Sequence, residues 1–348
     1  MRHGRTVFGN KWLTKDGLSA KNITSPATTG PPIVPRPDKG AAPAAQHTRY
    51  HWAMFSYRHA FHAGNHADVL KHTVLIATLQ YLTEKDAALT VLDTHAGAGL
   101  YRLDGDYAST SAEASDGILR LVAPEVPPLT PALAAYVDMV RAFNQGSKTR
   151  VYPGSPFISQ RLLRGHDKLK LFELHPTDMR ALAGNVAQLE AGRQVAVLHE
   201  DGFEGIKKFL PPPARRALVL CDPSYEIKSD YGKVLDMVTD SLKRFATGTY
   251  AVWYPIIPRP EAHDLPRRLK TLATKAGKSW LHATLTVKSS KVTENAAGET
   301  KRPGLPASGM FLINPPFTLK PALKEALPQM VELLAQDKHA TYTLESGS

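Results

Sequence analysis

The chain has 348 residues, 43% of them apolar, which suffices for one large α/β domain with additions or for two small domains. It contains no apolar run of the roughly 18 residues that a membrane-spanning helix needs, so we expect no association with a membrane. Its single cysteine, Cys221, excludes an internal disulfide and a thiolate metal site, and it favours a reducing, cytoplasmic location.

The formal net charge is +11, and it is unevenly distributed along the chain. Residues 1–53 hold eight Lys or Arg and two Asp, a net charge of +6, which leaves +5 for the remainder. A remainder that is still basic favours a polyanionic partner such as nucleic acid.

The first part of the chain differs in composition from the rest. Residues 25–45 are rich in Pro, Gly, Ala and Thr and show little aliphatic periodicity. Such a segment cannot bury enough apolar surface to offset the entropy lost on ordering. We therefore predict that residues 1–53 form a disordered extension without a catalytic role.

The pattern becomes helical over residues 65–85, where Leu70, Val74 and Leu82 recur near the helical period. Short apolar runs follow, most of them separated by helical stretches, and such runs are typical of buried parallel strands. They are residues 88–93, 168–174, 195–199, 217–221, 249–254, 281–287 and 310–313. This alternation predicts an α/β fold with a seven-stranded, mostly parallel, doubly wound sheet.

The gap between the first and second predicted strands is too long for a simple crossover. Within it, residues 112–122 and 130–144 have helical periodicity. We interpret residues 104–152 as an inserted helical subdomain. Residues 54–103 and 153–348 then form the main Rossmann-like domain.

A glycine turn, Gly97 and Gly99, follows the first predicted strand. Arg102 stands where a dinucleotide-binding fingerprint would have its third glycine, and no Gly-Lys-Ser/Thr phosphate loop is present. The shorter turn is the one used by Rossmann-like domains that bind S-adenosyl-L-methionine, although a plain tight turn has the same sequence.

Acidic residues end the next two strands. Glu173 can accept hydrogen bonds from both hydroxyls of a cofactor ribose, and a solvated acid at the end of a strand is the alternative. Asp201 and Gly202 lie where the loop after the third strand meets the cofactor adenine in this fold, but Asp-Gly is also a common turn.

The most specific motif is Asp222, Pro223, Ser224 and Tyr225, which directly follows an apolar strand. It is similar to the (Asp/Asn)-Pro-Pro-(Tyr/Phe) motif of amino-methyltransferases, with serine at the third position. A carboxylate and a proline carbonyl that accept both N–H groups of an adenine N6 localise its lone pair for attack. The aromatic ring is then expected to stack on the flipped base.

Residues 314–317 match that motif more closely letter for letter. They follow the last predicted strand, which we expect to run antiparallel to the others. The end of such a strand points away from the carboxyl edge where ligands bind, so we interpret Asn314 as a strand terminator.

The histidine-rich segment 57–72 has two interpretations. His62 and His66 have a spacing that suits a zinc site on a helix, but Gly64 and the residue after it separate them where a helix would begin. We therefore predict no metal site. Tyr57, His59 and Lys71 are candidates for contacts with RNA.

Two other features carry weaker signals. Cys221 lies at the end of an apolar strand without an adjacent base, which indicates a buried structural thiol. The stretch 261–303 holds nine Lys or Arg against four acids and is a candidate RNA-facing edge, although charge runs are usually just solvated.

From Met54 to about Thr343 the chain resembles the bacterial 23S ribosomal RNA adenine-N6 methyltransferases of the large-subunit J type. The resemblance rests on separate stretches in one order: 56–72, 92–99, 152–156, 173–176, 201–203, 222–226, 244–248, 253–255 and 308–316. Members of that family carry proline at the position of Ser224 and lack the first 53 residues.

The resemblance implies a monomeric class I S-adenosyl-L-methionine-dependent methyltransferase that acts on 23S rRNA. It implies Asp222 as the catalytic acceptor and Tyr57, His59 and Lys71 near the substrate adenosine. The implied cofactor contacts are His72, His95, Ser155, Glu173, Asp201, Gly202 and Asp222. Two alternatives stay open: an adenine-N6 methyltransferase that acts on DNA, and an RNA-binding protein whose active site no longer works.

Overall fold

The computed structural model describes residues 62–104, 113–146, 148–291, 293–294, 300–301 and 304–348. The predicted extension and the candidate RNA contacts Tyr57 and His59 lie outside these ranges. None of the described helices is long and apolar enough to cross a membrane.

Twelve strands are described. They are β1 (Thr90–Asp93), β2 (Leu100–Arg102), β3 (Val151–Pro153), β4 (Lys168–Phe172), β5 (Val195–Leu198), β6 (Ala217–Cys221), β7 (Thr249–Ile256), β8 (Trp280–Thr286), β9 (Thr293–Glu294), β10 (Thr300–Lys301), β11 (Ala307–Ile313) and β12 (Thr341–Gly347). All seven predicted strands are among them.

The first described α-helix precedes β1, and the others lie between strands in the sequence. They are α1 (His66–Thr83), α2 (Ile118–Leu121), α3 (Pro131–Arg141), α4 (Ser155–Leu162), α5 (Pro176–Ala187), α6 (Gly202–Gly205), α7 (Ser229–Arg244), α8 (Pro260–Lys275) and α9 (Leu319–Leu334).

The main sheet has eight strands in the order β12-β8-β11-β7-β6-β1-β4-β5. Neighbouring strands from β5 to β7 are parallel, and β11 runs antiparallel between β7 and β8. The Rossmann-like, mostly parallel fold is thereby confirmed. The strand order reverses at β1, whose two neighbours are β4 and β6, and ligands in such sheets bind at the carboxyl ends of the strands near this point.

The predicted number of seven strands in this sheet was wrong by one. The additional strand, β12, pairs antiparallel with β8 at the edge of the sheet. Most of its side chains are exposed, so it has no apolar run from which it could be recognised.

Helix α1 begins at the predicted place. The side chain of Asn65 caps it by accepting hydrogen bonds from the backbone N–H groups of Ala67 and Asp68. The helix is buried over most of its length and packs against β11, α3, α4 and α9. Because almost every side is covered, even the polar side chains of Lys71 and His72 are buried.

Between β2 and β3 the chain forms α2 and α3. Leu133, Tyr136, Val137 and Val140 of α3 are fully buried, and the helix packs against α1 and α9. The division of the chain into a main domain and an insertion over 104–152 stays a prediction.

Candidate active site

Two cavities lie side by side at the carboxyl ends of the parallel strands, and both reach Lys71, Asp222 and Ser224. The loops after β1, β4, β5 and β6 form the first cavity. The start of α1, the loop after β6 and the end of β7 form the second cavity. Asp222 can therefore contact a group bound in either cavity.

The first cavity brings together nearly all the residues for which the sequence suggested a cofactor contact. They are His72, His95, Gly97, Ser155, Glu173, Asp201, Gly202 and Asp222. Lys71 and Pro223 also line it. Gly99 does not line this cavity. It stabilises the turn instead, because its carbonyl accepts a hydrogen bond of 2.8 Å from the backbone N–H of Gly154.

The glycine turn needs glycine for two reasons. Gly97 and Gly99 have φ angles of +59° and +78°, in the left-handed region that side chains disfavour. A Cβ atom on Gly97 would also collide with the hydroxyl of Tyr101. The backbone N–H of Gly97 donates to Glu173 Oε2 at 2.7 Å, which fixes the turn to the end of β4.

Glu173 is held by backbone donors on both carboxylate oxygens. Its Oε1 accepts a second hydrogen bond, of 2.7 Å, from the backbone N–H of His175. Burial raises the pKa of Glu173 to about 7, and the nearby carboxylate of Asp178 adds to the effect. A ligand that donates hydroxyl groups to Glu173 would stabilise the ionised form.

Asp93 lies beneath the first cavity at the end of β1 and is fully buried. Its Oδ2 accepts a hydrogen bond of 2.6 Å from Ser155 Oγ, and burial raises its pKa to about 6. Since the hydroxyl hydrogen of Ser155 points to Asp93, the Ser155 oxygen can act as an acceptor toward the cavity.

His95 and the loop after β5 form one wall of the first cavity. The ring of His95 meets the ring of Phe203 edge-on at 4.8 Å, and burial lowers its pKa to about 3, so it is neutral at neutral pH. Asp201 accepts from the backbone N–H of Phe203 at 2.8 Å. A Cβ atom on Gly202 would collide with the carbonyl of Thr94, so only glycine fits here.

Lys71 joins two carboxylates. Its ammonium bonds Asp222 Oδ2, and it lies 2.9 Å from Asp68 Oδ1. Burial alone would lower the pKa of Lys71, but Asp222 and then Asp68 raise it above its ordinary value. Lys71 is therefore charged, and it compensates two carboxylates at the junction of the cavities.

Tyr225 has a left-handed backbone, with a φ angle of +53°. Its ring is only 1% exposed and packs against Tyr231 and Trp253, with centroid distances of 4.6 and 6.2 Å. Its hydroxyl donates to the carbonyl of Trp253 at 2.7 Å. Tyr225 lines the second cavity, and its stacking on a base stays a prediction.

Several residues that line the second cavity were missed from the sequence. Asp68, Glu226, Trp253 and Arg259 are among them. Asp68 and Trp253 belong to stretches that carried the family resemblance, so that signal could have found them. Arg259 lies outside those stretches, and nothing in the sequence marked it.

The side chains of His62 and His66 contact different partners and are not arranged to bind one metal ion. The Nδ1 atom of His62 lies 2.9 Å from Glu113 Oε2, whereas the Nε2 atom of His66 lies 3.0 Å from the carbonyl of Leu305. Within the described ranges, no group of three or more His, Cys, Asp or Glu side chains is arranged to hold a metal ion.

The two remaining candidates have structural contacts. Cys221 is fully buried, and burial raises the pKa of its thiol. Asn314 ends β11 at the edge opposite the cavities, because its amide donates to the carbonyls of Ala246 and Gly248, just before β7 begins. Its predicted role as a strand terminator agrees with these bonds.

The sheet order, the glycine turn after β1 and the acidic motif after β6 together define a Rossmann-like methyltransferase of the class that uses S-adenosyl-L-methionine. Comparison with known proteins narrows the class. The family described as Ribosomal RNA large subunit methyltransferase D, RlmJ, matches residues 86–345, and the chain belongs to this family.

Two curated relatives, each named Ribosomal RNA large subunit methyltransferase J, are similar over most of the chain. The relative from Haemophilus influenzae is 41% identical over 293 residues, 84% of this chain and 98% of the relative. The relative from Escherichia coli K12 is 41% identical over 290 residues, 83% of this chain and 98% of the relative.

A solved structure is similar as well. The crystal structure of a protein from Legionella pneumophila is 32% identical and superposes with a TM-score of 0.70. The match covers 82% of this chain and 99% of that one. The fold described above is therefore shared with an experimentally determined structure.

Proposed function

We propose that this chain transfers the methyl group of S-adenosyl-L-methionine to the N6 amino group of a specific adenine in 23S ribosomal RNA, acting as a cytoplasmic monomer. The observation that carries the proposal is the position of Asp222, which lies where the two cavities meet. One cavity would hold the methyl donor and the other the target nucleoside.

The residues of the first cavity fit the cofactor. Glu173 would accept from its ribose hydroxyls, and Asp201 with Gly202 would border its adenine. The turn from Gly97 to Gly99 lets a ligand approach the backbone closely, and His72, His95 and Ser155 would complete the contacts. When bound, S-adenosyl-L-methionine supplies an electrophilic methyl group on a sulfonium sulfur.

Asp222 and Pro223 would orient the target amine. The N6 lone pair of adenine is delocalised into the ring, which makes it a poor nucleophile. If the Asp222 carboxylate and the Pro223 carbonyl accept its two N–H groups, the lone pair points toward the methyl group. Formation of the new N–C bond would break the bond between the donor sulfur and the methyl carbon, whose electron pair stays on the departing sulfur. The nitrogen would then lose one proton to Asp222 or to solvent.

Lys71 would hold Asp222 in position for this chemistry. Its ammonium bonds one oxygen, Oδ2, and so fixes the orientation of the carboxylate. The base would lie in the second cavity beside the rings of Tyr225 and Trp253, since aromatic rings stack on bases that have left a helix.

The identity of the substrate is supported by the family. Both curated relatives are named as ribosomal RNA large subunit methyltransferases, which favours RNA over DNA. The described Asp-Pro-Ser-Tyr motif retains the carboxylate, the proline carbonyl and the aromatic ring, which favours an active enzyme over one whose site no longer works.

The test is transfer of tritium from labelled S-adenosyl-L-methionine to unmodified 23S rRNA, followed by nucleoside analysis. The wild type is compared with Asp222→Ala, and DNA without N6-methyladenine is offered in parallel. We expect label in N6-methyladenosine from rRNA with the wild type only. Label in DNA alone would support the DNA enzyme, and tight RNA binding without transfer would support the inactive alternative.

A further inference from the structure

A basic surface adjoins the second cavity. It consists of Lys288 and Lys291, on the segment that follows β8, and Lys338, in the turn between α9 and β12, and we refer to it as the three-lysine surface. Lys288 is half-buried, whereas Lys291 and Lys338 are exposed. All three lie at the carboxyl edge of the sheet, because β8 ends there and β12 begins there.

The three-lysine surface is connected to the second cavity through Leu305. Leu305 lines that cavity, and its carbonyl is bonded to His66 at the start of α1. The preceding residue, Gly304, approaches Lys288 so closely that a Cβ atom there would lie 3.9 Å from the lysine Nζ. The ammonium of Lys288 is therefore near the mouth of the cavity.

Backbone hydrogen bonds hold this surface in place. The backbone N–H of Gln336 donates to the carbonyl of Val287 at 2.8 Å. Asp337 accepts from the backbone N–H groups of Ser289 and His339, at 2.8 and 2.7 Å. The two segments that carry the lysines are thus tied to each other.

The three ammonium groups exceed the acidic charge bonded within this surface. Asp337 supplies one carboxylate, whose two oxygens are already engaged by backbone donors. Within the described part of the chain, none of the three lysines forms an ion pair. Lysines without an ion pair, on segments next to a cavity, fit the phosphate groups that flank a target nucleotide.

We infer that the three-lysine surface binds the phosphate backbone of the rRNA next to the nucleotide held in the second cavity. This inference rests on the proposed function, since it takes rRNA as the partner. Phosphate contacts of this kind fix the position of an RNA without reading its sequence. They would therefore increase the affinity for the RNA and fix its position on the protein, while the cavity selects the target nucleotide.

A triple variant, Lys288→Gln, Lys291→Gln and Lys338→Gln, tests the inference. The matched control is Lys243→Gln, Lys320→Gln and Lys324→Gln, which removes the same charge near the opposite edge, where α7 ends and α9 begins. The dissociation constant for 23S rRNA is measured by filter binding from low to high KCl, without cofactor.

We expect weaker RNA binding by the triple variant and a slope of log K against log salt that is smaller by about 2 to 3, roughly one per lost phosphate contact. The control should keep nearly the wild-type slope, and both proteins should bind S-adenosyl-L-methionine normally. An affinity and slope equal to those of the control would overturn the inference. Single Lys291→Gln, at an exposed position, repeats the test if the triple variant does not fold.

Failure of the proposed function gives a different result. If the wild type binds rRNA with a slope that depends on the three lysines but methylates no adenine, the surface stands and the catalytic proposal fails. If the wild type methylates adenine and the triple variant matches the control in binding and KM, only the surface is wrong.

Discussion

The ammonium of Lys71 bonds the carboxylate of Asp222 at the point where the two cavities meet. A buried lysine is costly to charge, and here a second carboxylate, Asp68, helps to compensate it. Asp68 in turn accepts a hydrogen bond of 2.8 Å from the backbone N–H of Gly64, in the turn that leads into α1. The position of the proposed catalytic carboxylate, Asp222, thus depends on a chain of contacts from that turn.

Asp68→Asn tests this dependence. Asparagine keeps the size and one acceptor for Gly64, but it removes the charge that balances Lys71, so the ammonium should shift relative to Asp222. Hydrogen bonds to charged groups contribute about 1.5 to 3 kcal/mol, which predicts a fall in kcat of roughly 10- to 100-fold. The affinity for S-adenosyl-L-methionine, measured by calorimetry, should change little.

Asp116→Asn is the control for Asp68, because Asp116 forms a more exposed ion pair with Arg120 on the segment before β3. It should leave kcat unchanged, since exposed pairs of this kind contribute little. A wild-type kcat for Asp68→Asn would show that Lys71 holds Asp222 without help.

Glu173 predicts how cofactor binding depends on pH. Its pKa in the free protein is about 7, and ribose hydroxyls would bind the ionised form. Binding should therefore tighten as the pH rises through 7, by about tenfold between pH 6 and pH 8, because the ionised fraction increases by that factor. Titration calorimetry over this range measures the effect.

Glu173→Gln should bind the cofactor more weakly and remove most of that pH dependence, since glutamine does not titrate. A pH dependence that survives the substitution would assign it to another group. Asp93 is the nearest candidate, with a pKa of about 6 beneath the same cavity.

Much of the fold could be predicted because strands such as β1 and β6 are buried on both faces. Strand β6 consists only of apolar residues, β1 contains Val91 and Leu92, and both strands are followed by chemically distinctive turns. Strand β12 could not be predicted in this way, because an edge strand with exposed threonine and glutamate side chains has no apolar run. Its place is set by backbone pairing with β8.

The residues of the candidate site also fall into two groups, those that the sequence locates and those that it does not. Residues at strand ends, such as Glu173 and Asp222, follow an apolar run directly, so the sequence locates them. Arg259 acts through a contact with the loop after β6, and Asp68 acts on Asp222 through Lys71. Such relations between distant segments are created only when the chain folds, so the local sequence does not distinguish either residue from a solvated charge.

Gly202→Ala should damage the first cavity. A Cβ atom at this position would collide with the carbonyl of Thr94, and backbone cannot easily move aside. Overpacking of this kind costs about 1 to 3 kcal/mol, so we expect a lower free energy of unfolding together with weaker cofactor binding. Urea unfolding and calorimetry measure the two effects.

Gly184→Ala is the matched control for Gly202. Gly184 lies within α5, and a Cβ atom there meets open space. Alanine should stabilise the helix by roughly 0.5 to 1 kcal/mol and leave cofactor binding intact. Equal stability and binding for the two variants would mean that the loop after β5 yields to the added methyl group.

Arg259 holds the loop that carries the proposed catalytic motif, residues 222–225. Its Nη1 atom donates to the carbonyl of Tyr225 at 2.8 Å, and Tyr225 has the left-handed backbone that a bulky residue rarely adopts. The loop has serine at position 224, which restricts the backbone less than proline does. We therefore expect Arg259→Gln to lower kcat by about tenfold, the equivalent of one lost hydrogen bond to a charged group, with little change in cofactor affinity.

The variant Ser224→Pro distinguishes two roles of Arg259: positioning the loop that carries residues 222–225, and binding RNA directly. Proline lowers the conformational freedom of the loop, so it should restore part of the kcat lost in Arg259→Gln while changing the otherwise wild-type enzyme little. If Arg259 instead contacts phosphate, the substitution to glutamine would raise KM for rRNA and reduce the salt slope, and proline at position 224 would restore neither. Single-turnover rates and rRNA affinity, measured for both single variants and the double variant, distinguish these outcomes.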